Sequence, residues 1–308
     1  MKPAGTLLRV VRLSALLLVC GGCGAGVARH GVIAIRPSHL RPVAATSTAG
    51  RQVDPTAFAR GACMAFSPTS ASRPLTVFLD AGHGGRDPGA IGSTRSHQRV
   101  FEARATLSVE LDTMARLRAG GFRVVVSRIR DSSVARLGPD DVSGGVLTVD
   151  GSHEDVLARA RCADKAHADV LVGIYFNAGV PGGAGSVTGY DAVRPYAADN
   201  LRLARLLQTD ALSAMNARGW EIPDAGVRSD SGLGSVLSAQ GAAYGHLVLL
   251  GPADPGYVAT PSRMPGAVIE PLFITDPFEG SIAASRRGQS VIADGLARAI
   301  EQYFAPAR

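Results

Sequence analysis

An apolar run that breaks on a histidine among glycines, Leu79-Asp80-Ala81-Gly82-His83-Gly84-Gly85-Arg86-Asp87-Pro88-Gly89-Ala90, constrains this chain more than any other stretch. Val77, Phe78 and Leu79 read as a buried strand, and the glycines with Pro88 end it by supplying turn conformations closed to a β-branched residue. The next apolar pattern has a helical period: Leu107, Leu111, Met114 and Leu117 share one face over Glu102–Ala119, and Gly120-Gly121 stops the helix. A strand over 122–127, a helix over about 153–167 and a strand over 169–176 follow. Strand, helix, strand, helix, strand in that order requires right-handed crossovers and a mainly parallel α/β sheet covered on both faces. His83 then stands at the C-terminal end of a strand, the edge where an open α/β sheet collects ligands. An imidazole there can bind a metal.

Further along, a helix is expected over 201–217, apolar strands over 246–250 and 267–273, and a closing helix over 288–304 with Ile292, Leu296 and Ile300 in register. Residues 218–265 are turn-rich around Trp220, Tyr244 and Tyr257. Stretches of that length are commonly functional, so these aromatics read either as a substrate rim or as surface packing. The 308 residues allow one large domain or two small ones, and no internal repeat is present.

Charge divides the chain unevenly. Residues 1–76 hold nine Lys and Arg against one acid, while 77–308 hold 23 basic and 25 acidic groups. The folded part therefore gives no electrostatic case for nucleic acid. A cationic tail suits anionic lipid or anionic wall polymers. Lys2, Arg9 and Arg12 followed by an apolar stretch over 13–19 read as an export signal (1–28), too short to span a bilayer. Gly21-Gly22-Cys23 resembles a lipoprotein cleavage box, with Cys20 where that box usually has Leu; lipidation at Cys23 and cleavage after Ala28 are both open. Either places the mature protein outside the cytoplasm. Residues 29–74, rich in Ala, Pro, Ser, Thr and Arg, read as a disordered or loosely packed spacer. In an oxidising compartment Cys63 and Cys162 form a plausible bridge, with two buried free thiols as the alternative.

From residue chemistry alone, His83 and Glu102 are ligand types brought near one sheet edge, and histidine with carboxylate suits catalytic zinc. Two ligands do not make a site, but the pattern continues. The block 79–90, then Glu102 with its helix and Val124-Val125-Val126-Ser127-Arg128, then Arg159, Ala163 and Ala168-Asp169, then Val268-Ile269-Glu270-Pro271-Leu272-Phe273 with the closing helix, together resemble the zinc-dependent N-acetylmuramoyl-L-alanine amidases. That family cuts the bond between glycan and stem peptide in bacterial peptidoglycan. The resemblance covers residues 75–305 and implies an amidase-like catalytic domain over 75–308. The implied fold is a single α/β domain with a mixed or mostly parallel six-stranded sheet flanked by helices on both faces.

By the same resemblance His83 and Glu102 are zinc ligands, Glu270 is the catalytic carboxylate and peptidoglycan is the substrate. Asp87 reads as a turn carboxylate capping the glycine loop. The family's third ligand, a histidine, is replaced by Tyr175 in Gly173-Ile174-Tyr175-Phe176-Asn177. A phenol with an ordinary pKa of ~10 must be deprotonated to bind metal. Three expectations follow: Tyr175 or water completes the zinc shell, His246 supplies the missing imidazole, or the metal is lost and the domain binds peptidoglycan without cutting it. The oligomeric state is left open.

Overall fold

The computed structural model of the protein describes residues 50–179 and 182–306. The expected export signal, Cys23 and residues 29–49 of the expected spacer lie outside the described residues. The chain begins with strands β1 (Arg51–Gln52), β2 (Ala62–Phe66) and β3 (Thr76–Ala81), then a hairpin of β4 (Ile91–Ser93) and β5 (Arg99–Phe101), helix α1 (Glu102–Ala119) and β6 (Arg123–Arg128). A hairpin of β7 (Val142–Ser143) and β8 (Val146–Leu147), helix α2 (Val149–Lys165), β9 (Val170–Ile174), β10 (Ser186–Tyr190), α3 (Ala197–Asn216) and β11 (Asp224–Ser229) come next. Helix α4 (Ala239–Tyr244), β12 (Gly266–Glu270), α5 (Pro277–Ala284) and α6 (Arg286–Tyr303) complete the order.

One sheet organises the fold, in the order β1-β2-β6-β3-β9-β12-β10-β11. Its centre is parallel: β3 pairs with β6 and β9, and β9 with β12. The C-terminal ends of β3, β9 and β12 therefore share one edge. The apolar runs expected to be strands are buried on both faces, as parallel strands must be. Val77, Leu79, Val124, Val126, Val172 and Ile269 face α1, α3 and α6, while Phe78, Val125, Leu171 and Val268 face α2. Each fully buried aliphatic side chain contributes roughly 1.5–3 kcal/mol.

Eight strands replace the expected six because both edges are extended. On one side β2 pairs antiparallel with β6, and β1 with β2, so residues 50–74 are not a loose spacer throughout. A disulfide joins Cys63 to Cys162 of α2, closing a separation of 99 residues. Loops of that length give several kcal/mol in the chain-entropy account. On the other side β10 runs antiparallel to β12 and β11 lies parallel to β10. Neither segment, Ser-Val-Thr-Gly-Tyr or Asp-Ala-Gly-Val-Arg-Ser, has an apolar run, so hydrophobic period did not reveal them.

The apolar residues 246–250 are turn, not strand. Leu247, Leu249 and Leu250 instead join the core on the α2 face, where a Cβ at Gly173 or Gly266 would lie 3.2 or 3.0 Å from a leucine methyl. A short apolar run covers a sheet as readily as it joins one. Trp220 packs on the larger core, and Tyr244 and Tyr257 lie 5.3 Å apart, centroid to centroid, with His246 beside the first and His153 stacked on the second. The contacts of these aromatics are packing contacts. Among the described residues no helix is long and apolar enough to cross a membrane.

Candidate active site

The glycine loop after β3 is held from three sides. Helix α1 starts on Phe101, which offers no side-chain cap, and the free amides of Glu102 and Ala103 donate instead to Ala90 and Pro88 of the loop. Those bonds satisfy two of the orphan donors of a helix start and tie the loop to the helix. Two buried guanidiniums hold the loop's carbonyls from below. Arg159 donates to the carbonyls of Ala81 and His83 and is paired with Asp80 and Asp155, both at 2.7 Å. Arg128 donates to the carbonyls of Ala81, Gly82 and Ala103.

Within this frame His83 has φ +62°, a left-handed conformation uncommon for a residue with a side chain. Its Nδ1 lies 2.7 Å from Asp87 Oδ2, and its Nε2 lies 3.1 Å from Glu102 Oε1. Glu102 is buried and anchored through both oxygens, Oε1 accepting from Phe176 N and Oε2 from Ala90 N, each at 2.9 Å. Gly89 makes the approach possible. A Cβ there would sit 2.7 Å from the His83 ring and 2.8 Å from Glu102, at φ +65°.

Burial alone would lower the pKa of His83, but Asp87 and Glu102 outweigh it and hold the imidazole at about 10. Burial would raise Asp87, and the contact with His83 and the Gly89 amide keep it below the usual carboxylate range. Asp87 is thus more than a turn cap: it orients the ring, as carboxylates do behind metal-ligating histidines. When the imidazole is neutral with its proton on Nδ1, toward Asp87, Nε2 and Oε1 are both acceptors. At 3.1 Å they require a cation between them, either a proton or a metal ion.

Glu270 ends β12, next to Tyr175, whose amide donates to the Ile269 carbonyl. Burial, then the charge of Glu102, raise its pKa, His83 lowers it, and the balance is about 7. Both members of the pair act on it, so imidazole and two carboxylates meet at one edge. Among the described residues the Glu270 carboxylate accepts no hydrogen bond, which leaves it free for a ligand.

Tyr175 comes to the same edge but does not offer its oxygen. Its ring stands edge-on to His83, with centroids 5.4 Å apart, and its hydroxyl donates to Asp80 Oδ2 at 3.1 Å. Burial and Asp80 hold that phenol well above its ordinary pKa, so it stays protonated. Gly82 makes room for the ring, since a Cβ there would lie 2.4 Å from it. His246 lies elsewhere. It follows α4 and contacts Asp191 and Asp230, beyond the C-terminal ends of β10 and β11. Because β10 is antiparallel to β12, that is the opposite edge of the sheet from Glu270.

Sequence reasoning missed Asp80, Asp155 and Arg128. The available signal was a charged residue closing an apolar strand, at Asp80 and at Arg128, since charge in such a place is costly unless paired.

The family profile described as N-acetylmuramoyl-L-alanine amidase matches residues 77–302. The uncharacterised protein YqiI of Bacillus subtilis is 27% identical over 230 residues, 74% of this chain and 84% of its own length. The N-acetylmuramoyl-L-alanine amidase LytC of the same organism is 27% identical over 226 residues, 73% of this chain and 34% of its own length. Among solved structures, the CwlD amidase from Clostridioides difficile, determined in complex with the GerS lipoprotein, superposes with a TM-score of 0.55 at 21% identity, covering 74% of this chain and 98% of that one. At that identity the likeness is one of fold.

Proposed function

Because the chain belongs to the N-acetylmuramoyl-L-alanine amidase family, we propose that it hydrolyses the amide between N-acetylmuramic acid and the L-alanine of the peptidoglycan stem peptide, outside the cytoplasm. The observation that carries this reading is the meeting of His83, Glu102 and Glu270, the last without a hydrogen-bond partner among the described residues, at one sheet edge.

The residues present suit zinc through two donors, His83 Nε2 and Glu102 Oε1, with Asp87 fixing the imidazole so that Nε2 faces the ion. A zinc ion held there would polarise the amide carbonyl and acidify water. Glu270 does the proton work. Its carboxylate takes a proton from the attacking water and passes it to the nitrogen of the leaving L-alanine as the carbon–nitrogen bond breaks. Burial brings its pKa to about 7, which suits it to both directions near neutrality. Arg159, Arg128 and the Asp80 and Asp155 carboxylates keep the loop and its imidazole in place.

One observation favours a second reading, a peptidoglycan-binding domain without turnover: Tyr175 commits its hydroxyl to Asp80 and leaves the metal with two protein ligands. Purified sacculi separate the two. The amidase releases free stem peptides, and Glu270→Gln stops the release without loss of sacculus binding. Binding with no peptide release by the unmodified chain establishes the second reading and ends the first.

A further inference from the structure

The opposite edge of the sheet carries a second histidine-carboxylate cluster, and its argument does not depend on the amidase reading. Asp191 follows β10 and Asp230 follows β11, two parallel strands, so both carboxylates leave the sheet together. Val187 of β10 lies across from Glu270. Asp191 is four residues further along, about 13 Å from Glu270 in the strand direction. The clusters are separate.

Each carboxylate has one oxygen oriented by backbone amides and the other turned inward. Asp191 Oδ1 accepts from Val193 N at 3.0 Å and Arg194 N at 2.7 Å, and Asp230 Oδ2 accepts from Leu247 N at 3.1 Å. The inward oxygens meet His246 Nδ1, at 3.1 Å from Asp230 Oδ1 and 3.3 Å from Asp191 Oδ2. An imidazole Nδ1 has at most one proton, and the hydrogen bond goes to Asp230. Asp191 Oδ2 is fully buried and, among the described residues, has no hydrogen-bond donor. A buried carboxylate oxygen left so is costly, and the cost marks a missing partner.

We propose that Asp191, Asp230 and His246 bind a divalent transition-metal ion of the zinc class. Among the described residues they are the one set of three His, Cys, Asp or Glu whose ligand atoms lie within 4.8 Å of one another. With metal–ligand bonds of about 2.0 Å, a tetrahedral site places its ligands about 3.3 Å apart, as the two distances to Nδ1 do. Imidazole with only two carboxylates favours such an ion over calcium or magnesium, which take larger all-oxygen shells. With three protein donors, a water would complete a tetrahedral shell. The ion would tie the ends of β10 and β11 to the 246–250 segment that covers the α2 face.

The test uses the full chain with His83→Ala and Glu102→Gln, which removes the donors of the other edge. After chelator treatment, equilibration with zinc chloride and dialysis, elemental analysis is expected to find a single zinc per chain, lost when Asp191→Asn is added. Loading with cobalt(II) should give visible bands of a tetrahedral ion in the first protein and none in the second. If Asp191→Asn does not fold, His246→Gln takes its place with the same expectation. No retained zinc in the two-substitution protein, or full retention after loss of Asp191 or His246, overturns the proposal.

Discussion

Two histidine-carboxylate clusters occupy opposite edges of one sheet, and they are built by different means. At the His83 edge a glycine loop in left-handed backbone is pinned by two buried arginines, and Glu270, whose carboxylate accepts no hydrogen bond among the described residues, stands beside it. At the His246 edge two strand-end aspartates are oriented by their local amides, and their inward oxygens meet the imidazole. The first arrangement leaves room for chemistry next to the imidazole and Glu102. The second encloses its ligand atoms almost completely, which suits a structural ion. Ligand type alone does not distinguish a reactive centre from a fastener.

The sharpest way to break this contrast is substitution of the proton carrier. Glu270→Gln should lower peptide release from sacculi by ~10²–10⁴-fold, the range for loss of a general acid–base group, while Asp191→Asn leaves the rate within a few-fold. Equal losses would erase the division of roles. Next in size is Arg159→Met, which leaves Asp80 and Asp155 buried without their cation and should cost ~3–5 kcal/mol in denaturant unfolding. A stability unchanged by that substitution would show that the guanidinium does not hold the loop.

Gly89→Ala forces a Cβ toward His83 and Glu102 at positive φ, and ~1–3 kcal/mol of strain is expected with reduced peptide release. Zinc retained at the other edge should not change. The support behind β3 contains a buried acid, Glu110, whose Oε1 accepts from Ala81 N and from Ser127. Burial raises its pKa from 4.5 to about 8. The folded protein therefore holds a proton that the unfolded chain has released, and stability should fall as pH rises between those values. Glu110→Gln should remove that slope, at most ~1.4 kcal/mol per pH unit; urea midpoints measured across the range decide it. The smallest effect is expected from Tyr175→Phe, which removes one hydrogen bond to Asp80, worth ~1 kcal/mol. Zinc stoichiometry should stay unchanged, and a loss of zinc would make the phenol a ligand after all.

Much of this was legible in the chain. The helix expected over residues 102–119 spans those residues, because its apolar positions recur at the helical period and Gly120-Gly121 stops it. The β3, β6, β9 and β12 strands were visible as apolar runs. The meeting of His83 and Glu102 could be expected from their places after a strand and at a helix start. Other features were not visible. β10 and β11 lack apolar patterning, 246–250 has it and is not a strand, and part of the expected spacer pairs with β6.

By itself, the sequence determined where chain direction must change, which runs are buried, and which side chains can bind metal or move a proton, since these follow from local sterics, hydrophobic period and functional-group chemistry. Only the tertiary structure decided that Tyr175 turns to Asp80 and that His246 belongs to Asp191 and Asp230 on the far edge. Side-chain direction and strand order depend on contacts between residues distant in the chain, and no local pattern encodes them.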